Sequence, residues 1–166
     1  MSEPLVVGTQ KEVEGLAPGR PLFALRLRSD TFTTRIALAE IFDALAPLGL
    51  TPEELSTVEL VLAEALNNIM EHAYPADGDG GPVEIECSHL SDGLHFALCD
   101  RGAAMPNGAL PVGTLPDHEV DTDHLPEGGF GWFLIKDLAK DVEYQRLDDQ
   151  NRLRLRIAVA YGQVAI

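Results

Sequence analysis

Residues 64–74 read Glu-Ala-Leu-Asn-Asn-Ile-Met-Glu-His-Ala-Tyr, and this stretch determines which fold we expect. It continues an apolar pattern that starts after residues 51–54, where Thr-Pro-Glu-Glu combines an N-cap, an early proline and acids that favour a helix start. The pattern predicts one helix over residues 53–74, which Pro75 and the glycine-rich residues 77–81 end. A single stripe at helical spacing is expected to face a sheet: Leu55, Val58, Leu62, Ala65, Leu66, Ile69 and Ala73.

Outside this helix, apolar alternation and turn signals divide the chain into strands and two more helices. Together these elements predict an α+β fold, a two-layer sandwich whose mostly antiparallel mixed sheet carries helices packed on one face. Residues 91–93 and 148–151 are expected to be hairpin turns. We predict strands over 21–28, 82–89, 94–99, 142–147 and 153–160, a helix from Ser29 or Asp30 to about 47–49, and a helix over 130–139.

The length of 166 residues predicts one domain. Residues 1–18 mix glycine, proline and charges without a period, so we expect a loose lead-in there and a single domain over 19–166. Residues 103–128 are rich in proline, glycine and aspartate, and a connection of this length is typical of a mobile functional loop.

Composition limits the function classes. The chain has 27 acidic and 12 basic residues, a formal net charge of -15, so direct binding to nucleic acid is disfavoured.

No apolar run approaches the ~20 residues of a membrane span, and the N-terminus lacks a secretory pattern, so we expect a cytoplasmic protein without membrane contact. Cys87 and Cys99 share no metal or redox spacing and are expected to be reduced, buried thiols.

Polar residues recur beside the apolar stripe of the long helix. Glu64, Asn68 and His72 are spaced four apart, so they form a polar line along it. An amide oxygen can complete the shell of a magnesium ion, and a carboxylate one turn away can take a proton from a hydroxyl or water. The solvated face of an ordinary amphipathic helix would give the same pattern.

Two glycine motifs follow. Asp100-Arg101-Gly102 ends a predicted buried strand, where an aspartate can accept a hydrogen bond from an adenine amino group while the glycine lets the base approach. Gly129-Phe130-Gly131 opens a helix, whose free N–H groups can hold a phosphate. Each motif alone is common in proteins.

In this order and spacing, the three motifs resemble those of the Bergerat-fold (GHKL) ATPases. Residues 64–74, with their His-Ala-Tyr end, are similar to the first motif of the anti-sigma-factor serine/threonine kinases of bacterial partner-switching systems. The resemblance covers about residues 21–159. It implies ATP and Mg²⁺ as cofactors, and residues 19–166 as one ATP-binding kinase domain with residues 103–128 as its mobile lid.

The resemblance also implies roles by position. It implies that Glu64 is the general base, that Asn68 is the magnesium ligand and contacts the cofactor, and that Asp100 reads the adenine. Gly102 matches the turn at the base, and Gly129 and Gly131 match the glycines that let the loop close over the phosphates.

One position departs from the family. The pattern Asp-x-Gly-x-Gly ends here in Ala104, so the turn after Gly102 is expected to be stiffer or differently shaped. His72, where the family often has histidine, is expected to be structural.

The implied function is ATP- and magnesium-dependent phosphorylation of serine or threonine on a small anti-sigma-factor antagonist of the STAS type, with sequestration of a sigma factor or another regulator. The resemblance also allows a homodimer. Two alternatives stay open: a non-catalytic ATP-binding module that only sequesters a partner, and a detached histidine-kinase-like ATPase domain.

Other candidate sites are weaker. Residues 77–80 hint at a calcium loop but lack the later acids. A metal could be bound by His118, Asp121, Asp123 and His124. These residues fall in the lid, however, where a need for solubility explains the acids equally well. Arg101 and Lys136 could touch a phosphate or simply lie at the surface. The arginines that alternate along the last strand are expected to be a solvent face.

Overall fold

The computed structural model describes residues 21–29, 33–74, 78–110 and 129–160. These residues form five strands and three α-helices. A 3₁₀ turn, Ala46–Leu48, follows the first helix, and the second helix continues directly into a π-helical segment, Ile69–Ala73. In chain order the elements are β1 (Phe23–Arg28), α1 (Thr33–Leu45), α2 (Pro52–Asn68), β2 (Pro82–Leu90), β3 (Gly93–Asp100), α3 (Gly129–Leu138), β4 (Lys140–Leu147) and β5 (Gln150–Ile157).

The strands form one sheet in the order β1-β2-β3-β5-β4. Every neighbouring pair is antiparallel, so the described residues contain no parallel pair of the expected mixed sheet. The register sets Val83 and Asn151 opposite Asp100, on the two sides of β3. The α+β fold with an antiparallel sheet under helices is confirmed.

The core lies between the sheet and the helices. Strand residues alternate, so one face of each strand is apolar and packs under the helical stripe predicted from the sequence. The stripe is buried from Val58 onward, whereas Leu55 is only half-buried. The largest fully buried side chains are Phe96, Ile41, Leu45, Leu62, Leu66, Ile85, Leu94, Leu98, Ile135, Ile157, Val58 and Val61.

A capping box starts α2, as the sequence indicated. The hydroxyl of Thr51 accepts a hydrogen bond from the backbone N–H of Glu54 at 3.2 Å, and the Glu54 carboxylate accepts from the Thr51 N–H at 2.8 Å. The second Glu54 oxygen accepts from the N–H of Ala160 at 2.8 Å, so the same side chain also holds the segment after β5.

Three element boundaries differ from the prediction. Ser29 does not cap α1, because its hydroxyl accepts from the Gly81 N–H at 2.9 Å and α1 begins at Thr33. The end of the long helix is π-helical. Strand β5 covers Gln150–Ile157, so Asn151 is a buried strand residue and not part of a turn, although asparagine favours turns.

Several expectations lie outside the described residues. They are the lead-in 1–18, lid residues 111–128, Asp30, the helix-ending Pro75, Asp77, and the histidines and aspartates at 118–124. The described part of the lid, residues 103–110, includes a 3₁₀ turn over Pro106–Gly108. No helix among the described residues is both long and apolar enough to cross a membrane.

The cysteines are free thiols in the sheet. Cys87 is buried and Cys99 is half-buried. Burial raises the pKa of Cys87 to about 12, so its thiol stays protonated at neutral pH.

The capping box gives the first prediction. Thr51→Ala removes the acceptor for the Glu54 N–H, so we expect it to lower the free energy of unfolding by about 1 kcal/mol. Urea unfolding followed by circular dichroism measures this change. Ser56→Ala, at an exposed position of the same helix, is the control and is expected to change little; equal loss in both variants would contradict a capping role.

Candidate functional site

A cavity of about 470 Å³ opens between the end of α2, the turn after β3, the start of α3 and the β4–β5 hairpin. This volume is within the range of small-molecule and cofactor sites. Segments distant in the chain meet there. The lining residues are Ala65, Asn68, Ile69, His72, Ala73, Asp100, Ala103, Ala104, Met105, Pro106, Trp132, Tyr144, Asn151 and Leu153.

The first and third motifs touch where α3 crosses α2. Gly131 is buried, and a Cβ atom built on it would lie 2.5 Å from Glu64 Oε2 and 3.8 Å from Asn68 Nδ2. A side chain at position 131 would therefore displace the Glu64 carboxylate from its present position. The contact brings the Glu64 carboxylate and the Asn68 amide to the first turn of α3, which begins at Gly129 as the Gly-x-Gly pattern predicted.

The Asn68 amide lacks a partner. The residue is 9% exposed, and its Nδ2 makes no hydrogen bond in the described structure. A buried polar group left unpaired costs about 1–3 kcal/mol, which is recovered when a ligand pairs with it. The π-helical segment starts immediately after Asn68, and such segments are frequent at functional sites. The unpaired Nδ2 is a donor, so it can pair with an acceptor such as a phosphate oxygen.

Asp100 is buried at the far end of the cavity, with 5% exposure. Its Oδ1 accepts from the Gly102 N–H at 2.9 Å and from Asn151 Nδ2 at 2.8 Å. Both bonds use the same oxygen. Burial raises the pKa of Asp100 above its ordinary 3.8, against the lowering effect of these hydrogen bonds and of the Arg146 charge.

The turn after Asp100 is attached to the end of the long helix. The Ala103 N–H donates to the Ala73 carbonyl at 2.8 Å, and the Arg101 N–H donates to the Tyr74 hydroxyl at 2.8 Å. A Cβ built on Gly102 would collide with the Ala73 carbonyl oxygen. Position 102 must therefore be glycine because it contacts the helix backbone. The sequence around Gly102 did not reveal this reason.

Asn151 and Tyr144 are site residues that the sequence reasoning missed. Asn151 Nδ2 donates to Asp100 and also to the Ala103 carbonyl at 2.8 Å, while its Oδ1 accepts from the Tyr144 hydroxyl at 2.5 Å. The Tyr144 hydroxyl accepts from the Met105 N–H at 3.0 Å. These bonds fix the backbone on both sides of Ala104. The only signal in the sequence was that Asn151 shares the alternating face of Leu153, Leu155 and Ile157.

Arg146 completes this network. Its guanidinium donates to the Gly102 carbonyl at 2.8 Å and to Asn151 Oδ1 at 3.0 Å. The expected stiffness of the turn around Ala104 thus has a physical basis in side chains from the β4–β5 hairpin.

The remaining candidates divide between cavity and surface. His72 lines the cavity, although its side chain is 64% exposed. Asn67 Oδ1 accepts from the Thr34 hydroxyl at 3.0 Å and so faces α1. Arg101 pairs with Asp149 at 3.2 Å, and Lys136 is exposed in the last turn of α3.

Comparison with known proteins identifies the family. A model of the histidine kinase-like ATPase domain matches residues 27–157 of the 166-residue chain. The chain belongs to this family. The resemblance to GHKL ATPases drawn from the three motifs is therefore confirmed.

Relatives named serine-protein kinase RsbW agree with the suggested branch. The Oceanobacillus iheyensis protein is 32% identical over 97 residues, which are 58% of this chain and 61% of that protein. The Bacillus licheniformis protein is 29% identical over 101 residues, 59% of this chain and 62% of that protein. The match thus spans less than two thirds of either relative's length.

A solved structure shares the fold. A crystal structure of the RsbU and RsbW domains of a Mycobacterium tuberculosis protein superposes with a TM-score of 0.54 at 14% identity. The match covers 84% of this chain and 33% of that chain.

The two glycines give contrasting predictions. Gly102→Ala places a methyl group against helix backbone, which cannot yield easily, and should destabilise the protein by about 1–3 kcal/mol. Gly131→Ala meets only the end of the flexible Glu64 side chain, so stability should change by less than about 1 kcal/mol. Urea unfolding of both variants tests this order of effects, and the reverse order would contradict the described packing.

Asp100 gives a prediction on pH. Because its pKa is raised on folding, its charged form lowers stability, and this penalty grows as pH rises through the folded-state pKa. Asp100→Asn keeps an oxygen to accept both hydrogen bonds, so the variant should be at least as stable at neutral pH, with a gain that shrinks on acidification. Urea unfolding from below the ordinary pKa of 3.8 up to neutral pH measures the difference. A destabilised variant at neutral pH would be inconsistent with a desolvated carboxylate.

Proposed function

We propose that this chain is an ATP- and magnesium-dependent serine/threonine protein kinase that phosphorylates a small anti-sigma-factor antagonist of the STAS type and sequesters a sigma factor or another regulator. The observation that carries the proposal is the contact of Glu64 and Asn68 with Gly131, beside a cavity that ends at Asp100. The relatives named serine-protein kinase RsbW support the reaction class.

Asp100 is proposed to read the base. Its Oδ1 is occupied by Asn151 and Gly102, and Oδ2 makes no hydrogen bond among the described residues, so this second oxygen is available to accept from an adenine amino group. Apolar side chains such as Ile69 and Leu153 line the same cavity and suit the flat faces of a base. The network from Asn151 holds the carboxylate in one orientation.

Gly129, Gly131 and Asn68 are proposed to hold the phosphates. The first N–H groups of α3 have no partner within the helix, and the positive end of the helix dipole favours an anion there. This local donor set opposes the formal charge of -15, which otherwise repels a triphosphate. Asn68 would hold Mg²⁺, which supplies positive charge to the transferring phosphoryl group when bound.

Glu64 is proposed to act as the general base. Its carboxylate lies next to Gly131, one helical turn before Asn68, and is half-buried, so it remains accessible to a partner's side chain. A carboxylate there can orient a serine or threonine hydroxyl and accept its proton as the oxygen attacks. A module that only holds ATP has no need of an acid in this position.

Phosphorylation is proposed to release the partner. The added phosphate carries about -1.5 to -2 charges at neutral pH. This chain has more than twice as many acidic as basic residues, so a phosphorylated partner is repelled more strongly than an unphosphorylated one. Release therefore follows from electrostatics without a separate device.

Replacement of Glu64 tests the proposal. Glu64→Gln keeps the size and polarity of the side chain but removes the base, so we expect ATP affinity within about threefold of the natural protein and a transfer rate reduced at least ~100-fold. The assay is single-turnover transfer from labelled ATP to the antagonist, with calorimetry for ATP binding. Glu59→Gln, an exposed acid on the same helix, is the control.

The outcomes separate the alternatives. Acid-stable phosphate on the antagonist supports serine or threonine transfer, whereas acid-labile phosphate indicates histidine chemistry. ATP binding without transfer by the natural protein leaves the sequestering module as the function. Equal loss of binding and transfer in Glu64→Gln argues against the role as a base.

A further inference from the structure

A second cavity, of about 490 Å³, lies at the β4 edge of the sheet. Arg152 and Arg154 reach it from β5, where they alternate with the core residues Leu153 and Leu155, so they are on the sheet face opposite the helices. We call this cavity the arginine pocket. Its other lining residues are Gly108, Ala109, Leu110, Val142, Glu143, Tyr144 and Gln145.

The two arginines of the pocket make no hydrogen bond and no ion pair with any of the described residues. Arg152 Nε is moreover buried without a partner. Arg156, on the same strand and face, is different: it pairs with Asp141 at 2.8 Å and lies 3.7 Å from Asp92. The absence of pairing is therefore specific to the pocket and is not a property of the whole strand.

The buried, unpaired Nε–H of Arg152 lowers the stability of the protein when no partner is bound. A buried N–H without an acceptor is unfavourable, and acids to pair with it are abundant in a chain with 27 of them. The neighbours across the sheet do not supply one: Arg152 faces Cys99 and Gln145, and Arg154 faces Ala97 and Glu143, the last beyond ion-pair distance. An external acceptor would resolve the cost.

We propose that the arginine pocket binds carboxylate side chains of an acidic segment in a protein partner. A guanidinium presents planar, paired donors that match a carboxylate, and Arg152 and Arg154 present them side by side. Leu110, Val142 and Tyr144 supply apolar walls for the stems of acidic residues or for apolar neighbours. An acidic segment is repelled by the rest of this surface, so the pocket also fixes where it docks.

The inference does not depend on phosphoryl transfer. The pocket shares Tyr144 with the nucleotide cavity, but Arg152 and Arg154, the residues to be substituted, do not line that cavity. Failure of one proposal is therefore distinguishable from failure of the other.

The test uses the full chain and a fluorescently labelled peptide of alternating glutamate and leucine, with a glutamine–leucine peptide as the matched control. We expect saturable binding of the acidic peptide that weakens as salt increases, and none of the control peptide. Arg152→Gln with Arg154→Gln should weaken binding about tenfold or more, whereas Arg156→Gln should leave it within about twofold. In the natural protein, the Arg152 Nε–H resonance should shift on peptide addition.

Several results would overturn the proposal: the acidic peptide does not bind, Arg156→Gln weakens its binding as much as the double variant does, or the glutamine peptide binds equally well. Displacement of the acidic peptide by inorganic phosphate at equal concentration would also overturn it, because it would indicate a small-anion site. A change of oligomeric state in the double variant would assign the pocket to a second copy of the chain. If the double variant is unfolded, Arg154→Gln alone, at an exposed position, must still weaken binding severalfold.

Discussion

The helix that carries Glu64 and Asn68 is approached closely by both other motifs, each through a glycine. Gly131 lies against the Glu64 carboxylate, and Gly102 lies against the carbonyl of Ala73 nine residues further along the same helix. A methyl group at position 102 would push against helix backbone, whereas one at position 131 would displace the flexible end of the Glu64 side chain. The cavity exists because α2 and its π-helical end are approached this closely from two sides.

The end of the cavity at Asp100 depends on buried polar contacts. Asn151 links the Asp100 carboxylate to the backbone of the following turn and, through Tyr144, to Met105. A buried carboxylate is unfavourable unless its oxygens are paired, and the hairpin provides that pairing on one oxygen only. The other oxygen remains for a ligand. The same bonds hold the turn at Ala104, where the family pattern has a glycine.

Much of this could be predicted from local sequence, because capping, periodicity and turns are local effects. Thr51 and Glu54 indicated the start of α2, and apolar alternation indicated each strand. Asn151 could not be identified, because its role depends on strand pairing that sets it opposite Asp100, 51 residues away. For the same reason the sequence explained neither why Gly102 must be glycine nor why Arg156 is paired while Arg152 is not.

We propose that one cavity, formed by these segments, holds a magnesium-bound adenine nucleotide. Trp132 is the single tryptophan of the chain, is 5% exposed and lines that cavity, so its fluorescence reports occupancy directly. We expect a saturable change in Trp132 emission on titration with ATP, stronger with Mg²⁺ than without it and absent with GTP. No change with ATP, or an equal response to GTP, would contradict it.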